Sequence, residues 1–360
     1  MSNKKLEQQN VAKVFERWMR VNGWLFMAAS IVLEDEGLQG KMAIRQWMRR
    51  WGMWRGRQAR KGHQAVGYEI NMINLMKHWD SAGAVTESLA KSWEAPECKW
   101  TPCHVLVNTP FTPQNCPQAA LWREHDFWLD GHIHCDEFHT MYCRGYHPEA
   151  QVVLPECIMK NDPACTFSWI IPADHKPAPI AEPYEGENVL LDWAEGTPDE
   201  ENFRALRRKS RSTAGRIYFL GEVLYEMFPE KADEYFGRIM DRWTTDRGKD
   251  LRAYLNKENI PATIEDLIEN FDHPYIYLWD IETAKEDDKT MVKIGYCPFA
   301  ETWGWLDKDK NASISEKIKK HYCSRCYHNV IENANYDLSA KLESCKLDGK
   351  SVCAFSIREK

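Results

Sequence analysis

Apolar residues recur at three- and four-residue spacing over 25–54 and again over 217–243, which predicts a long amphipathic helical region early in each half of the chain. Shorter runs rich in β-branched and aromatic residues follow at 103–108, 164–171, 276–281, 291–296 and 351–357, and these read as strands. A further helix is expected before each of the pairs Tyr142-Cys143 and Tyr322-Cys323. Helices followed by a small antiparallel sheet, twice over, define an α+β fold.

The pattern repeats at the level of residues. Cys157, Cys165, Phe167 and Ser168 match Cys345, Cys353, Phe355 and Ser356 in identity and spacing, and Arg50, Trp51, Arg55 and Gly56 match Arg242, Trp243, Arg247 and Gly248. Between these landmarks Pro110-Phe111 pairs with Pro298-Phe299, and Tyr142-Cys143 with Tyr322-Cys323. So long a period excludes a solenoid and predicts a tandem duplication of one domain, 15–172 and 209–358, packed as a pseudo-two-fold pair. The stretch 172–201 is rich in proline and acids, so 173–208 reads as a semi-rigid linker whose apolar piece, Val189 to Leu191, docks on a domain.

Composition narrows the class. With 43% hydrophobic and 28% charged residues among 360, the chain is globular rather than disordered. The apolar stretch 23–33 is too short to span a bilayer, and it follows no basic segment of a secretion signal. A net charge of −7 argues against nucleic acid or an anionic membrane as partner, although 45–60 is locally basic. Twelve dispersed cysteines suit reduced thiols or metal ligands in a cytoplasmic protein. Self-association is left open.

Chemistry is expected where the halves differ. Six of the twelve histidines, His104, His125, His132, His134, His139 and His147, fall in the first half between 104 and 147, whereas the corresponding stretch of the second offers only His321. On a continuous helix, His125, His132, Asp136, His139 and Cys143 would form one stripe with donors a turn apart, as a divalent ion requires. Alternatively a turn at Gly131 starts a strand that sends His132 and His134 to one face, with Glu137 or His139 completing the set. The triplets Cys143, Cys157, Cys165 and Cys323, Cys345, Cys353 serve either as packed thiols or as ligands, and Cys323 with Cys326 is a lone CxxC beside His328. Arg55 is a candidate carboxylate clamp, or else a helix tie shared with Arg50, Arg242 and Arg247. No phosphate-binding loop, dinucleotide fingerprint, nucleophile elbow or zinc-protease motif occurs, so neither nucleotide nor flavin is expected.

The order of helix bundle, short strand, Cys297-Pro298, Tyr-Cys and then Cys-x7-Cys-x-Phe resembles the L-2-amino-thiazoline-4-carboxylic acid hydrolase family, with a more distant likeness to vinyl-reductase-type ligand-binding domains. The resemblance spans 101–171 and 291–357. It implies hydrolytic opening of a C=N bond in a small sulfur–nitrogen ring to a carbamoyl product, without a redox cofactor.

The combined expectation is a hydrolase with a divalent transition metal, zinc by preference, acting on a C=N or C–N bond of a small carboxylate-bearing heterocycle. The first half would be catalytic and the second a scaffold. His125, His132, His134 and His139 would hold the ion, Glu137, Asp136 and Cys143 would act on the substrate, and Arg55 and Trp128 would bind it. The alternatives are a metal-dependent lyase on a small organic acid and a non-enzymatic protein with an aromatic-lined pocket.

Overall fold

The computed structural model describes residues 8–77, 99–112, 115–271 and 280–360. The protein is α+β, as the residue pattern predicts. Each helical region is a pair of helices, α1 (Gln8–Val32) with α2 (Gly37–Ala65), and α8 (Pro198–Met227) with α9 (Ala232–Lys257). The first pair is divided at Gly37, whose φ of 55° favours glycine, and the second at Pro229, which follows Phe228 at the end of α8. Thr197 opens α8 with a reciprocal capping box, accepting from the backbone N–H of Glu200 while the Glu200 carboxylate accepts from the N–H of Thr197.

In the first half α3 (Met72–Lys77), β1 (Lys99–Trp100), β2 (His104–Pro110), α4 (Pro117–Glu124), α5 (Trp128–Ile133), a π-helical turn (His134–Phe138), α6 (His139–Tyr146), β3 (Gln151–Glu156) and β4 (Ala164–Ile170) follow α2. After α7 (Leu190–Trp193) and the pair α8 and α9, the second half runs α10 (Ile264–Glu269), β5 (Ile281–Glu286), β6 (Lys289–Ile294), α11 (Pro298–Lys310), α12 (Ile314–Ile318), a π-helical turn (Lys319–Cys323), α13 (Ser324–Ala334), β7 (Leu338–Ser344) and β8 (Cys353–Glu359). The sheets are antiparallel with matching orders, β1-β2-β4-β3 and β5-β6-β8-β7, and each carries a bulge where β3 or β7 leaves its partner. The expected strand at 276–281 lies mostly outside the described residues. Strands β3, β5 and β7 were missed because their exposed faces are charged or polar and mask the alternation.

The halves interlock through their long helices. Helix α1 packs on α4 of its own half and on α9 of the other, while α8 packs on its own α11 and on α2. The heavy tryptophan content is spent here: Trp51 on α2 donates to the Ser212 carbonyl of α8 at 2.9 Å, and Trp243 on α9 donates to the Val21 carbonyl of α1 at 2.8 Å. Trp122 reaches the Gly23 carbonyl at 3.1 Å, and Trp303 the Ala214 carbonyl at 2.8 Å. Each ring buries a large apolar face and satisfies its one donor on the second lone pair of a helix carbonyl.

The repeated Arg-Gly pair marks a crossing point. A Cβ on Gly56 would stand 2.0 Å from the Tyr142 carbonyl oxygen of α6, and one on Gly248 would stand 2.7 Å from the Val330 carbonyl oxygen of α13. Arg50 leaves this crossing to pair with Glu222 and Glu226 on α8. The proline-rich segment lies along α2, where Tyr184 accepts from the Trp54 indole at 2.8 Å and Glu187 pairs with the buried Lys61 at 2.7 Å. Val189 and Trp193 are buried, whereas Leu190 and Leu191 are half exposed.

Two landmarks of the repeat are displaced in three dimensions. Pro298 begins α11, and the proline that begins the corresponding helix α4 is Pro117, each preceded by a cysteine, Cys116 or Cys297; Pro110 instead ends strand β2. Likewise Cys323 ends a π-helical turn, whose counterpart is the turn containing Cys135, not the helix carrying Cys143.

Candidate functional site

A cavity of about 140 Å³ opens between sheet β1-β2-β4-β3 and helix α4, lined on its apolar side by Val107, Ile158, Phe167 and Trp169 and completed by Gln118, His134 and His139. A second lobe of about 70 Å³ shares Met19, Gln118, His134 and His139 with the first and is closed by Lys209, Ser212 and Arg216 of α8. The larger lobe alone has roughly ten times the space one water molecule needs, which suits a single small ring.

The π-helical turn positions both imidazoles. His139 Nδ1 lies 2.8 Å from the Cys135 carbonyl oxygen, an acceptor, so Nδ1 carries the proton and Nε2 is the basic nitrogen. His134 Nδ1 faces the Met48 sulfur at 3.3 Å, and its ring stacks on Phe138. Burial lowers the pKa of both, with the Arg216 charge adding to the effect at His134, so both rings are neutral at pH 7. This has a measurable consequence. As the pH falls below about 6.5, the unfolded chain takes up protons that the buried folded-state imidazoles refuse, so stability is full above that value and declines on acidification. Urea midpoints measured at about pH 7.5 and about pH 5.5 should show this loss, and His134→Gln should shrink it; an undiminished loss in the variant would assign it to other groups.

The places that correspond to these polar residues hold large apolar or aromatic side chains. Counted from the matched cysteines, Gln118, His134 and His139 correspond to Phe299, Tyr322 and Tyr327. Counted from the carbonyls that Trp51 and Trp243 reach, Lys209 and Arg216 correspond to Trp18 and Leu25. Tyr327 stacks on Phe355 at 4.0 Å and Tyr322 on Trp243 at 5.4 Å, so rings occupy the space that forms the cavity of the first half.

The residues expected at the site are only partly assembled. His134 and His139 face the cavity, but His125 is exposed against Trp24, and His132 pairs with Asp136 at 3.1 Å. Asp136 also holds Lys160 at 2.9 Å. Among the described residues no three His, Cys, Asp or Glu side chains are grouped to hold a metal ion, so the four expected histidines are not assembled as one ligand set. The stripe fails because the chain leaves helix between Glu124 and Trp128, with Asp126 at φ 53°, and because the π-helical turn at 134–138 then shifts the register. Glu137 is clamped by Arg45 and by Arg49, the latter at 2.6 Å, away from the cavity lining. Cys143 is buried, its thiol pushed up by burial, and lies outside the lining. Arg55 is buried at the α2–α6 crossing with its pKa lowered to about 10 by burial, and it too lies outside the lining. Trp128 falls on α5 with its side chain outside the described part.

The cysteine triplets are differently composed than the spacing suggested. The free thiol of Cys157 is hydrogen-bonded to those of Cys135 and Cys165, and that of Cys345 to those of Cys323 and Cys353, which pulls the central thiol of each trio down and pushes its partners up. Backbone N–H groups of Ile158 and Lys346 reach the Cys165 and Cys353 sulfurs at 3.4 and 3.2 Å. Occurring alike in both halves, the trios tie each hairpin to its π-helical turn. Missed by the sequence reading were Gln118, Lys209, Ser212 and Arg216; the halves compared in the register of Cys116/Cys297 and Cys135/Cys323 would have exposed Gln118.

These features describe an α+β protein with an apolar-walled cavity, bordered by Gln118, His134 and His139, where its two halves meet. Residues 209–357 match the family model of L-2-amino-thiazoline-4-carboxylic acid hydrolase, so the resemblance carried by the cysteine and proline landmarks holds for the second half, and the family is one of hydrolases. The matched segment begins with the stretch of α8 that closes the cavity. No curated protein and no solved structure matches the chain. No described helix is long and apolar enough to cross a membrane.

Proposed function

We propose that the protein is a hydrolase that opens a C=N-containing, carboxylate-bearing heterocycle, with a 2-amino-thiazoline-4-carboxylate as the reference substrate, in the cavity of the first half. The observation that carries this reading is that Gln118, His134, His139, Lys209 and Arg216 of the cavity match Phe299, Tyr322, Tyr327, Trp18 and Leu25 at the corresponding places, which leaves one half for chemistry and the other as scaffold. The matching sheet orders and interlocked helices support an origin by duplication, with the halves related by an approximate two-fold axis.

His139 is the proposed base. Its Nδ1 proton is committed to the Cys135 carbonyl, so Nε2 accepts a proton from water as the water oxygen bonds to the ring carbon of the C=N group. A proton passes to the ring nitrogen. Collapse of the adduct breaks the carbon–sulfur bond, and the remaining hydroxyl proton moves to sulfur, leaving a thiol and a carbamoyl group. Gln118 and the neutral His134 border the same space and are placed to orient the ring. The direct test is to incubate purified protein with excess 2-amino-thiazoline-4-carboxylate and follow free thiol with carbamoyl product. Equal, enzyme-dependent release of both is expected, and thiol release no faster than in buffer would overturn the assignment.

A further inference from the structure

Arg216 is the least compensated charge in the described interior. Its side chain is fully buried, and none of its three guanidinium nitrogens has a hydrogen-bond partner. The guanidinium carbon lies 4.6 Å from the ring centre of Trp51, 5.2 Å from that of Trp47 and 5.9 Å from that of Phe26. Ring faces attract a cation but do not satisfy five N–H donors, and a buried donor left unpaired is costly. Such a group persists where something absent from the isolated chain completes it.

A second cation stands in the same lobe. Lys209 lies two turns before Arg216 on α8, where its amino group meets the Met19 sulfur at 3.0 Å, a weak acceptor with no charge. Ser212 lies between them and also lines the lobe. Burial, together with Arg55 and Arg216, lowers the pKa of Lys209 to about 7. The acids nearby are committed elsewhere: Asp192 to Arg211 and Arg207, and Glu137 to Arg45 and Arg49.

Resting on the proposed hydrolase reading, we infer that Arg216, assisted by Lys209 and Ser212, is the anchor for the carboxylate of the ring substrate, which therefore straddles the two halves. The acid group lies on α8 of the second half, and the ring extends past Gln118 and His134 toward His139 and the apolar wall of Val107, Ile158 and Phe167. Arg216, not Arg55, is thus the specificity-determining cation. The place on α1 that matches Arg216 holds Leu25, so that helix offers the second half no equivalent anchor.

The test uses binding, so that it reads the anchor separately from turnover. Thiazolidine-4-carboxylate, a saturated ring without the C=N bond, and its neutral carboxamide are titrated against the full chain by calorimetry and thermal shift. The acid should bind more tightly by more than about tenfold, the factor that a single charge-assisted hydrogen bond supplies, and should raise the melting temperature. Arg216→Met should erase the preference for the acid, and in the absence of ligand should melt higher than the natural protein because it removes a buried, unpaired charge. Arg216→Lys, which keeps the charge, should retain part of the preference. Equal affinity for acid and carboxamide in the natural protein, or an undiminished preference in Arg216→Met, would overturn the anchor. Acid-selective binding without ring opening would sink the hydrolase reading and leave the anchor standing. Ring opening by Arg216→Met with unchanged KM would do the reverse.

Discussion

His139→Gln should lower kcat for ring opening by about 10²- to 10⁴-fold, the usual contribution of a positioned general base, while leaving KM and the melting temperature nearly unchanged. Gln is close in size to His and can still donate to the Cys135 carbonyl, but it offers no nitrogen of suitable basicity. Glu137→Gln and Cys143→Ala, by contrast, should keep near-normal turnover, because Glu137 is occupied by Arg45 and Arg49 and Cys143 lies outside the cavity. Steady-state rates of the three variants, with circular dichroism as the check on folding, decide the matter. If His139→Gln kept more than about a tenth of the natural kcat, the base would have to be sought elsewhere.

Gly56→Ala should destabilise the protein by about 3 kcal/mol or more and lower its melting temperature by roughly 4 °C or more. The added Cβ would meet the Tyr142 carbonyl oxygen at 2.0 Å and the Tyr146 nitrogen at 2.7 Å, both backbone atoms that no rotamer change can move. Helices α2 and α6 would have to separate, and α6 begins at His139, so the cavity would be distorted with the fold. Gly304→Ala is the matched control. Gly304 also sits inside a helix, but nothing lies within 4 Å of its Cβ position, so the change should be neutral or stabilising by several tenths of a kcal/mol. Chemical denaturation of both variants gives the comparison, and a Gly56→Ala midpoint close to that of Gly304→Ala would show that the crossing is looser than these distances describe.

Much of the architecture was legible because it rests on local spacing. The Cys-x7-Cys hairpins recur as strand, bulge, 3₁₀ turn and strand, with Asn161 at φ 72° and Gly349 at φ 73° in the same left-handed place. The Arg-Gly pair recurs because two helices cross at the glycine, and a crossing that close accepts no side chain. The site was less legible. The histidine-rich segment did mark the half that holds the cavity, yet only His134 and His139 among the four expected ligands face it. A straight helix through 125–143 would place these side chains on one stripe, but the chain breaks at Asp126 and again at the π-helical turn, and no spacing rule signals such a turn in advance.

By itself, then, the sequence determined the α+β class, the recurrence of one element order and the half in which polar residues collect, since these follow from periodicity and composition along a single stretch of chain. Only the tertiary structure decided what completes the site. Lys209 and Arg216 are about 70 residues or more from His134 and His139 along the chain, and they meet the imidazoles because α8 crosses from the second half to lie on α2, with Trp47 and Trp51 holding its carbonyls at 2.7 and 2.9 Å. A cation on an amphipathic helix ordinarily faces water. Arg216 is enclosed because its helix is sandwiched between two halves, a circumstance that depends on packing at long range and leaves no trace in local pattern.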